Sequence, residues 1–156
     1  DSVRKDLSAR PVENVSGDAS ESEISDILAK YGIYPGKVEL WGTGKPLREF
    51  LWSEEMADAS VYVMEKVDFA DVRPATGDIR NTHINIGTGK ELSIREVAFL
   101  IREKVGFTGE IVFNSSKPDG TMRKLTDVTK LHALGWHHTI EVDEGIERLY
   151  CWYLEN

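Results

Sequence analysis

Two stretches of the sequence combine positive charge with glycine and proline, a composition that suits a phosphate-bearing ligand. The first is Trp41–Arg48 and the second is Lys117–Lys124. An arginine can bind two phosphate oxygens at once, and glycine lets the backbone approach a ligand closely. The indole of Trp41 could stack on a ring, and the carboxylate of Asp119 could accept hydrogen bonds from sugar hydroxyls. These residues suit a diphosphate with a ring attached, and two solvated surface loops would have the same composition.

The tetrapeptide Gly-Thr-Gly-Lys occurs twice, at residues 42–45 and 87–90. A P-loop requires the pattern G-x-x-x-x-G-K-[ST], but neither lysine is followed by serine or threonine. The dinucleotide-binding pattern G-x-G-x-x-G fails as well, because Leu47 and Leu92 stand at the third glycine position. We therefore predict two turns at strand ends, and we expect no residue of this chain to bind a cofactor.

The other reactive side chains do not form a recognised catalytic or metal-binding pattern. Tyr62 and Lys66 have the Tyr-x-x-x-Lys spacing of short-chain dehydrogenases, but no nicotinamide motif accompanies them, so we interpret the spacing as coincidence. We expect Cys151 to be a small buried hydrophobe on the last helix rather than a nucleophile. The histidines are expected on the surface or in loops rather than on a metal: His83, His132, His137 and His138. The sequence therefore predicts no catalytic residue and no metal ligand in this chain.

Length, charge and cysteine content exclude several classes of protein. The chain has 156 residues and a formal net charge of −8. This length fits one domain of ~100–200 residues, which can bury a core without disulfides. The acidic excess argues against nucleic-acid binding, and no apolar run approaches the ~20 residues of a membrane span. A single cysteine predicts a reducing, cytoplasmic location. The first residue is Asp1 rather than methionine, from which we expect a fragment.

The spacing of apolar residues predicts strands that alternate with helices. Strands are predicted around Val38–Trp41, Ile84–Ile86 and Ile111–Phe113. Helix starts are predicted from capping patterns and polar residues at Ser20, Ser53, Ser93 and Asp127. The final helix is predicted to bury the stripe Val142, Ile146, Leu149, Tyr150 and Tyr153. This alternation predicts a mixed α/β fold with a small sheet and several helices.

The charge pattern also suggests how the chain is divided. Residues 1–19 hold no aromatic and few large apolar side chains, which predicts a loop or a poorly ordered insertion. We expect residues 1–36 to be a polar connector with one short helix, and residues 37–156 to form the ligand-binding domain.

Five short motifs occur in an order typical of one enzyme family. They are Trp41-Gly42-x-Gly44-x-Pro46-x-Arg48-Glu49-Phe50-Leu51, Met56-Ala57-Asp58-Ala59-Ser60, Asn85-Ile86-Gly87-Thr88-Gly89, Lys117-Pro118-Asp119-Gly120-Thr121-x-Arg123-Lys124 and Leu134-Gly135-Trp136. Over roughly residues 37–156 the sequence resembles the C-terminal half of the GDP-L-fucose synthases. These enzymes belong to the extended short-chain dehydrogenase/reductase group of sugar-nucleotide epimerases and dehydratases.

This resemblance implies a function for the parent protein. Such enzymes convert GDP-4-keto-6-deoxy-D-mannose to GDP-L-fucose by epimerisation at C3 and C5 and NADPH-dependent reduction at C4. The NADP-binding Rossmann domain and the catalytic residues belong to the N-terminal half of the family, so we expect this chain alone to be inactive. By position in the motifs, the substrate-binding residues would be Trp41, Arg48, Asp119 and Lys124. The resemblance further implies a homodimeric parent.

Two features depart from the family pattern. Trp52-Ser53-Glu54-Glu55 stands where the family often has His-Val-Asp-Asp, and residues 1–36 look longer and more polar than the usual connection. Two alternatives therefore stay open. The parent could be another sugar-nucleotide epimerase or reductase of the same group, or the chain could be a non-catalytic acidic interaction module.

Overall fold

A computed structural model describes residues 2–156, which form two compact units. Unit 1 contains the residues up to Gly44 together with Thr108–Asp119. Unit 2 contains Lys45–Phe107 and Gly120–Asn156. None of the described helices is long and apolar enough to cross a membrane.

The described residues form seven helices and six short strands, which follow one another in runs of one to three elements of the same kind. The helices are α1 (Ser2–Ala9), α2 (Glu21–Lys30), α3 (Ser53–Lys66), α4 (Phe69–Val72), α5 (Ile94–Lys104), α6 (Thr129–Ala133) and α7 (Val142–Glu155). The strands are β1 (Ile33–Tyr34), β2 (Lys37–Trp41), β3 (Leu47–Arg48), β4 (Leu92–Ser93), β5 (Glu110–Asn114) and β6 (Arg123–Lys124). The predicted mixed α/β class with small sheets is confirmed.

Unit 1 is built on a three-stranded sheet with the order β1-β2-β5. Strand β2 is antiparallel to β1 and parallel to β5, with Trp41 opposite Asn114 at the end of the parallel ladder. Two isoleucines of α2, Ile24 and Ile27, are buried because they lie on one face of the helix. The predicted capping box at Ser20 is confirmed and fixes the start of α2.

Unit 2 contains a second three-stranded sheet, with the order β4-β3-β6, beside a helical core. Ala59 and Leu131 are fully buried, and Trp136 packs against them. The indole Nε1 of Trp136 donates a hydrogen bond to Asp58 at 2.8 Å, so this large side chain is buried with its polar atom satisfied. The capping box at Ser93, predicted from the sequence, is confirmed at the start of α5.

A buried carboxylate joins the beginning of α3 to the segment before α7. Glu55 is 7% exposed, and its Oε1 accepts hydrogen bonds from the backbone N–H and the hydroxyl of Thr139 and from the N–H of Ile140. Backbone N–H groups are strong donors that are costly to bury unpaired, so this carboxylate stabilises the segment. Trp52 lies three residues before Glu55. Its ring packs against α7 at Gly145, where an added Cβ would lie 3.4 Å from Trp52 Cε3. Trp52, a departure from the family pattern, therefore packs against a helix of unit 2.

The first residues of the chain differ from the prediction. Ser2–Ala9 is the helix α1, whereas a loop or poorly ordered insertion was expected. Leu7 anchors α1 by being buried, and Arg4 Nη1 donates to the carbonyls of Gly17 and Ala19 at 2.7 and 2.8 Å. The two hydrogen bonds of Arg4 join residues 13 and 15 positions apart in the sequence. The spacing of neighbouring residues therefore could not predict them.

Three further predictions about local structure were wrong in whole or in part. Ile84 and Ile86 do not lie in a strand; they pack instead against the core around Leu131, so their alternation reflects a packed loop. Cys151 is exposed rather than buried. Leu149 and Tyr153 of the predicted buried stripe are each 56% exposed, because α7 packs on α5 through another part of its surface.

Candidate functional site

In unit 1 the predicted ligand-binding residues lie at the carboxyl ends of two parallel strands. Trp41 ends β2, and the loop that carries Lys117 and Asp119 follows β5. The N–H of Gly42 donates to the carbonyl of Asn114 at 3.0 Å, which keeps the two strand ends together. Ligands of α/β proteins bind at this edge of a parallel sheet.

Trp41 presents its ring at this edge. Its side chain is 67% exposed, although a tryptophan has a large apolar surface to bury. The ammonium of Lys117 lies 5.2 Å from the ring centroid, a distance at which a cation is attracted to an aromatic face. An aromatic ring with a cation beside it suits a base or a sugar that carries phosphate.

Asp119 has a structural role in this loop. Its Oδ1 accepts a hydrogen bond from the N–H of Thr43 at 2.7 Å, and its Oδ2 accepts one from the Thr43 hydroxyl at 2.6 Å. Gly42 has a φ of +83°, and a Cβ at this position would lie 2.2 Å from Asp119 Oδ1. Glycine is therefore needed at residue 42 for both its backbone conformation and the approach of the carboxylate.

In unit 2 the structure brings Arg48 and Lys124 together on neighbouring strands. Strand β3 is parallel to β6, and Arg48 is the register partner of Lys124. Arg48 Nη1 donates to the carbonyls of Leu47 and Thr121 at 2.6 and 2.7 Å. These bonds hold the guanidinium through Nη1, and no hydrogen bond from its Nε or Nη2 to another described residue is seen. The four predicted residues thus form two pairs, Trp41 with Asp119 in unit 1 and Arg48 with Lys124 in unit 2.

An open cleft of about 620 Å³ in unit 2 is lined by Lys124 and the residues that follow it. Gly89, Arg123 and Thr126 also line this cleft. Arg123 Nε donates to both carboxylate oxygens of Glu91, at 2.8 and 3.0 Å, so part of its charge is used within the chain. Lys124 is exposed, and it is the lysine that the sequence singled out.

Both Gly-Thr-Gly turns bind a carboxylate of the chain itself. Asp119 accepts from Thr43 in the first turn, as described above. In the second turn, Glu49 Oε1 accepts from the N–H groups of Thr88 and Gly89 at 2.7 and 2.6 Å. The N–H groups of Thr43, Thr88 and Gly89 are thus already paired with anions. These turns do not fit a dinucleotide phosphate.

The chemistry of Glu49 follows from these contacts. Its Oε2 accepts a hydrogen bond from the N–H of Thr126 at 3.1 Å, in addition to the two bonds made by Oε1. Burial raises the pKa of Glu49, but the hydrogen bonds from Thr126, Gly89 and Thr88 outweigh burial and leave that pKa below its ordinary value. The sequence motifs include Glu49, yet nothing in its local spacing predicts partners about 40 and 77 residues away.

The remaining sequence candidates lie elsewhere in unit 2 and have structural partners. The hydroxyl of Tyr62 donates to the carbonyl of Leu134 at 2.8 Å, and Lys66 is exposed, which agrees with a coincidental spacing. The rings of His132 and His137 are stacked 4.2 Å apart. The side chain of His138 is only 8% exposed, so this histidine lies in a loop but not on the surface. Burial, and then the neighbouring His137 and His138, lower the pKa of His132.

Comparison with known proteins places this geometry in a family. Residues 10–87, half of the chain, match the family described as NAD dependent epimerase/dehydratase family. The chain belongs to this family. Among its curated members, the GDP-L-fucose synthase of Escherichia coli (strain K12) is 48% identical over 76% of this chain and 36% of its own length. The probable GDP-L-fucose synthase 1 of Oryza sativa subsp. japonica is 42% identical over 77% of this chain and 33% of its own. The predicted resemblance to GDP-L-fucose synthases is confirmed.

Solved structures of the family match nearly the whole chain. A GDP-6-OMe-4-keto-L-xylo-heptose reductase from C. jejuni is 44% identical, with a TM-score of 0.83 over 98% of this chain and 44% of its own. The chain spans about a third of the length of the curated relatives it matches.

Proposed function

We propose that this chain supplies the GDP-sugar binding residues of an epimerase–reductase of the GDP-L-fucose synthase type. The parent protein would convert GDP-4-keto-6-deoxy-D-mannose to GDP-L-fucose by 3,5-epimerisation and 4-reduction. The observation that carries this proposal is the register pairing of Arg48 with Lys124 on two parallel strands. Paired cations of this kind bind the two phosphates of a nucleoside diphosphate through charge-assisted hydrogen bonds.

Each predicted residue has a distinct part in this binding. Arg48 would bind phosphate oxygens through Nε and Nη2, since Nη1 is used by backbone carbonyls. Lys124 would add a second positive charge from its exposed position on β6. Trp41 would pack against the guanosine or the phosphates. Asp119 would hold the turn next to Trp41 through its two bonds with Thr43, and its carboxylate would accept hydrogen bonds from the sugar hydroxyls.

NADPH would supply the hydride for the reduction in the whole enzyme. The two Gly-Thr-Gly turns do not fit the phosphates of this cofactor, because the amides of Thr43, Thr88 and Gly89 are paired with Asp119 and Glu49. We therefore propose that NADPH binds to another part of the parent protein. This chain would contribute sugar-nucleotide binding and no catalytic residue.

A second candidate function is the reduction or epimerisation of a GDP-heptose. The observation in its favour is structural coverage: the solved structure of the C. jejuni heptose reductase covers 98% of the chain, whereas that of a GDP-L-fucose synthetase from Naegleria fowleri covers 77%. Both candidates require GDP recognition and differ in the sugar.

Isothermal titration calorimetry with the chain of 156 residues tests the proposal. GDP, UDP and dTDP are titrated first, and GDP-L-fucose and a GDP-heptose second. We expect GDP to bind more tightly than UDP or dTDP. Equal or tighter binding of UDP or dTDP would assign the parent to another sugar nucleotide. If no nucleotide binds, an interaction module without a ligand becomes the better account. The titrations with GDP-L-fucose and with a GDP-heptose show which of the two sugars the chain prefers.

A further inference from the structure

The carboxylate of Glu49 connects three parts of unit 2 that border the proposed phosphate-binding residues. Glu49 follows Arg48 directly in the chain. Its Oε1 accepts from the N–H groups of Thr88 and Gly89, and its Oε2 accepts from the N–H of Thr126. Two of these partners, Gly89 and Thr126, line the cleft of about 620 Å³ that Lys124 also lines.

The fit around this carboxylate is close. A Cβ at Gly87 would lie 2.6 Å from Glu49 Oε1 and 2.9 Å from its carboxyl carbon, so glycine makes room for the side chain. The hydroxyl of Thr88 is 3.3 Å from the same oxygen, and Thr88 is 7% exposed. A neutral side chain at residue 49, whether a protonated glutamate or a glutamine, lacks the negative charge that strengthens the hydrogen bonds from these N–H groups. It also carries a donor, which cannot pair with an N–H group. The arrangement therefore depends on an ionised Glu49.

We propose that Glu49 is the positioning residue of the phosphate-binding region. Its ionised carboxylate fixes the 87–89 turn and the segment after β6 relative to Arg48, and thereby holds Lys124 where it can share a phosphate with Arg48. This inference rests on the proposed function for its ligand, but the carboxylate's effect on the two segments can be measured without a ligand.

The first test is a pH titration of the wild-type chain followed by NMR of the backbone amides. The pKa of Glu49 is below its ordinary value of 4.5, so the amides stay paired with the carboxylate until the pH falls through that lowered pKa. We expect the shifts of Thr88, Gly89 and Thr126 to titrate together with one midpoint below 4.5. Independent midpoints, or no titration of these amides, would overturn the proposal.

The second test compares Glu49→Gln with Glu96→Gln. Glu96 is the matched control, because its carboxylate also accepts a backbone N–H, that of Ser93 at 2.7 Å, and its pKa is also lowered, by the Ser93 hydrogen bonds. We expect Glu49→Gln to abolish the shared amide titration and to weaken GDP binding at least five-fold. Glu96→Gln should leave the amide titration and the GDP affinity unchanged while lowering the stability of α5.

The outcomes separate this inference from the proposed function. If GDP binds equally well to wild type and Glu49→Gln, the positioning role is wrong and the proposed function stands. If GDP does not bind to wild type, the proposed function is wrong, and the amide titration alone decides whether Glu49 fixes the two segments. If Glu49→Gln does not fold, the amide titration of the wild-type chain still decides whether Glu49 fixes the two segments.

Discussion

Arg48 and Lys124 occupy the same register position on the parallel strands β3 and β6. Side chains at paired positions of neighbouring strands lie on the same face of the sheet and close to one another. Two cations in this relationship repel each other, and like charges that are directly opposite destabilise a strand pair. We propose that a bound phosphate offsets this repulsion, and this is why the pair carries the proposed anion site.

Substitution of Lys124 tests its contribution of charge. We expect Lys124→Ala to weaken GDP binding by about 1 kcal/mol, roughly five-fold, because an exposed ammonium acts as a screened point charge. The weakening should shrink at high salt, since screening grows with ionic strength. Calorimetry at low and high salt measures both effects. The matched control is Lys66→Ala, also an exposed lysine, which should bind GDP as wild type does. A Lys66→Ala effect as large as that of Lys124→Ala would contradict the assignment.

Gly120 sets the space available to the Arg48 guanidinium. A Cβ at this position would lie 3.1 Å from Arg48 Nη2, so an added methyl group must displace the flexible end of the side chain. We expect Gly120→Ala to change the free energy of unfolding by less than about 0.5 kcal/mol. GDP binding should nevertheless weaken about five-fold, which corresponds to about 1 kcal/mol.

A double-mutant cycle identifies the cause of that weakening. In the background of Arg48→Ala, Gly120→Ala should have no further effect on GDP affinity, because the group it displaces is gone. Additive effects of the two substitutions would show that Gly120 acts through something other than Arg48.

Asp119 is expected to stabilise its loop through its two hydrogen bonds with Thr43. Asp119→Ala leaves the half-buried N–H of Thr43 without its carboxylate partner, which we expect to cost about 1–3 kcal/mol of the free energy of unfolding. Asp119→Asn retains an acceptor for that N–H and can donate to the Thr43 hydroxyl, so it should be the milder variant. Chemical denaturation ranks the two. Equal stability of Asp119→Ala and wild type would contradict this role.

The sequence predicted those elements whose signals are local. The strand that ends at Trp41 and the capping boxes at Ser20 and Ser93 are confirmed, because each depends on residues within one turn or strand. The repeated Gly-Thr-Gly-Lys was interpreted as turns, and in each turn the threonine N–H donates to a carboxylate that lies far away in the sequence.

What could not be predicted depends on distant partners. Glu49 and Glu55 each hold backbone N–H groups that lie between about 39 and 85 residues away, and no pattern around either residue indicates this. The exposure of Cys151 was missed for the same reason, because only the packing of α7 decides which of its faces is covered. For the candidate site, the sequence identified the residues and the motifs that contain them. That Arg48 lies opposite Lys124 could be learned only from the register of the two strands in the structure.

Leu131 tests the core that supports unit 2. This side chain is fully buried against Ala59 and Trp136, so Leu131→Ala should cost about 2–5 kcal/mol of the free energy of unfolding through lost contacts and a cavity. Leu154→Ala is the control: Leu154 is 65% exposed, and its removal should change stability by less than about 0.5 kcal/mol. Urea denaturation measures both. Similar values for the two variants would mean that the core lies elsewhere.

The phosphate site is tested most directly by GDP binding to the wild-type chain and to Arg48→Ala, measured by calorimetry under identical conditions. We expect wild type to bind GDP and Arg48→Ala to lose about 1.5–3 kcal/mol of binding free energy, the range for a hydrogen bond to a charged group. Arg73→Ala, which removes an exposed arginine from the connection after α4, should bind as wild type does. An unchanged dissociation constant for Arg48→Ala would contradict the assigned phosphate site.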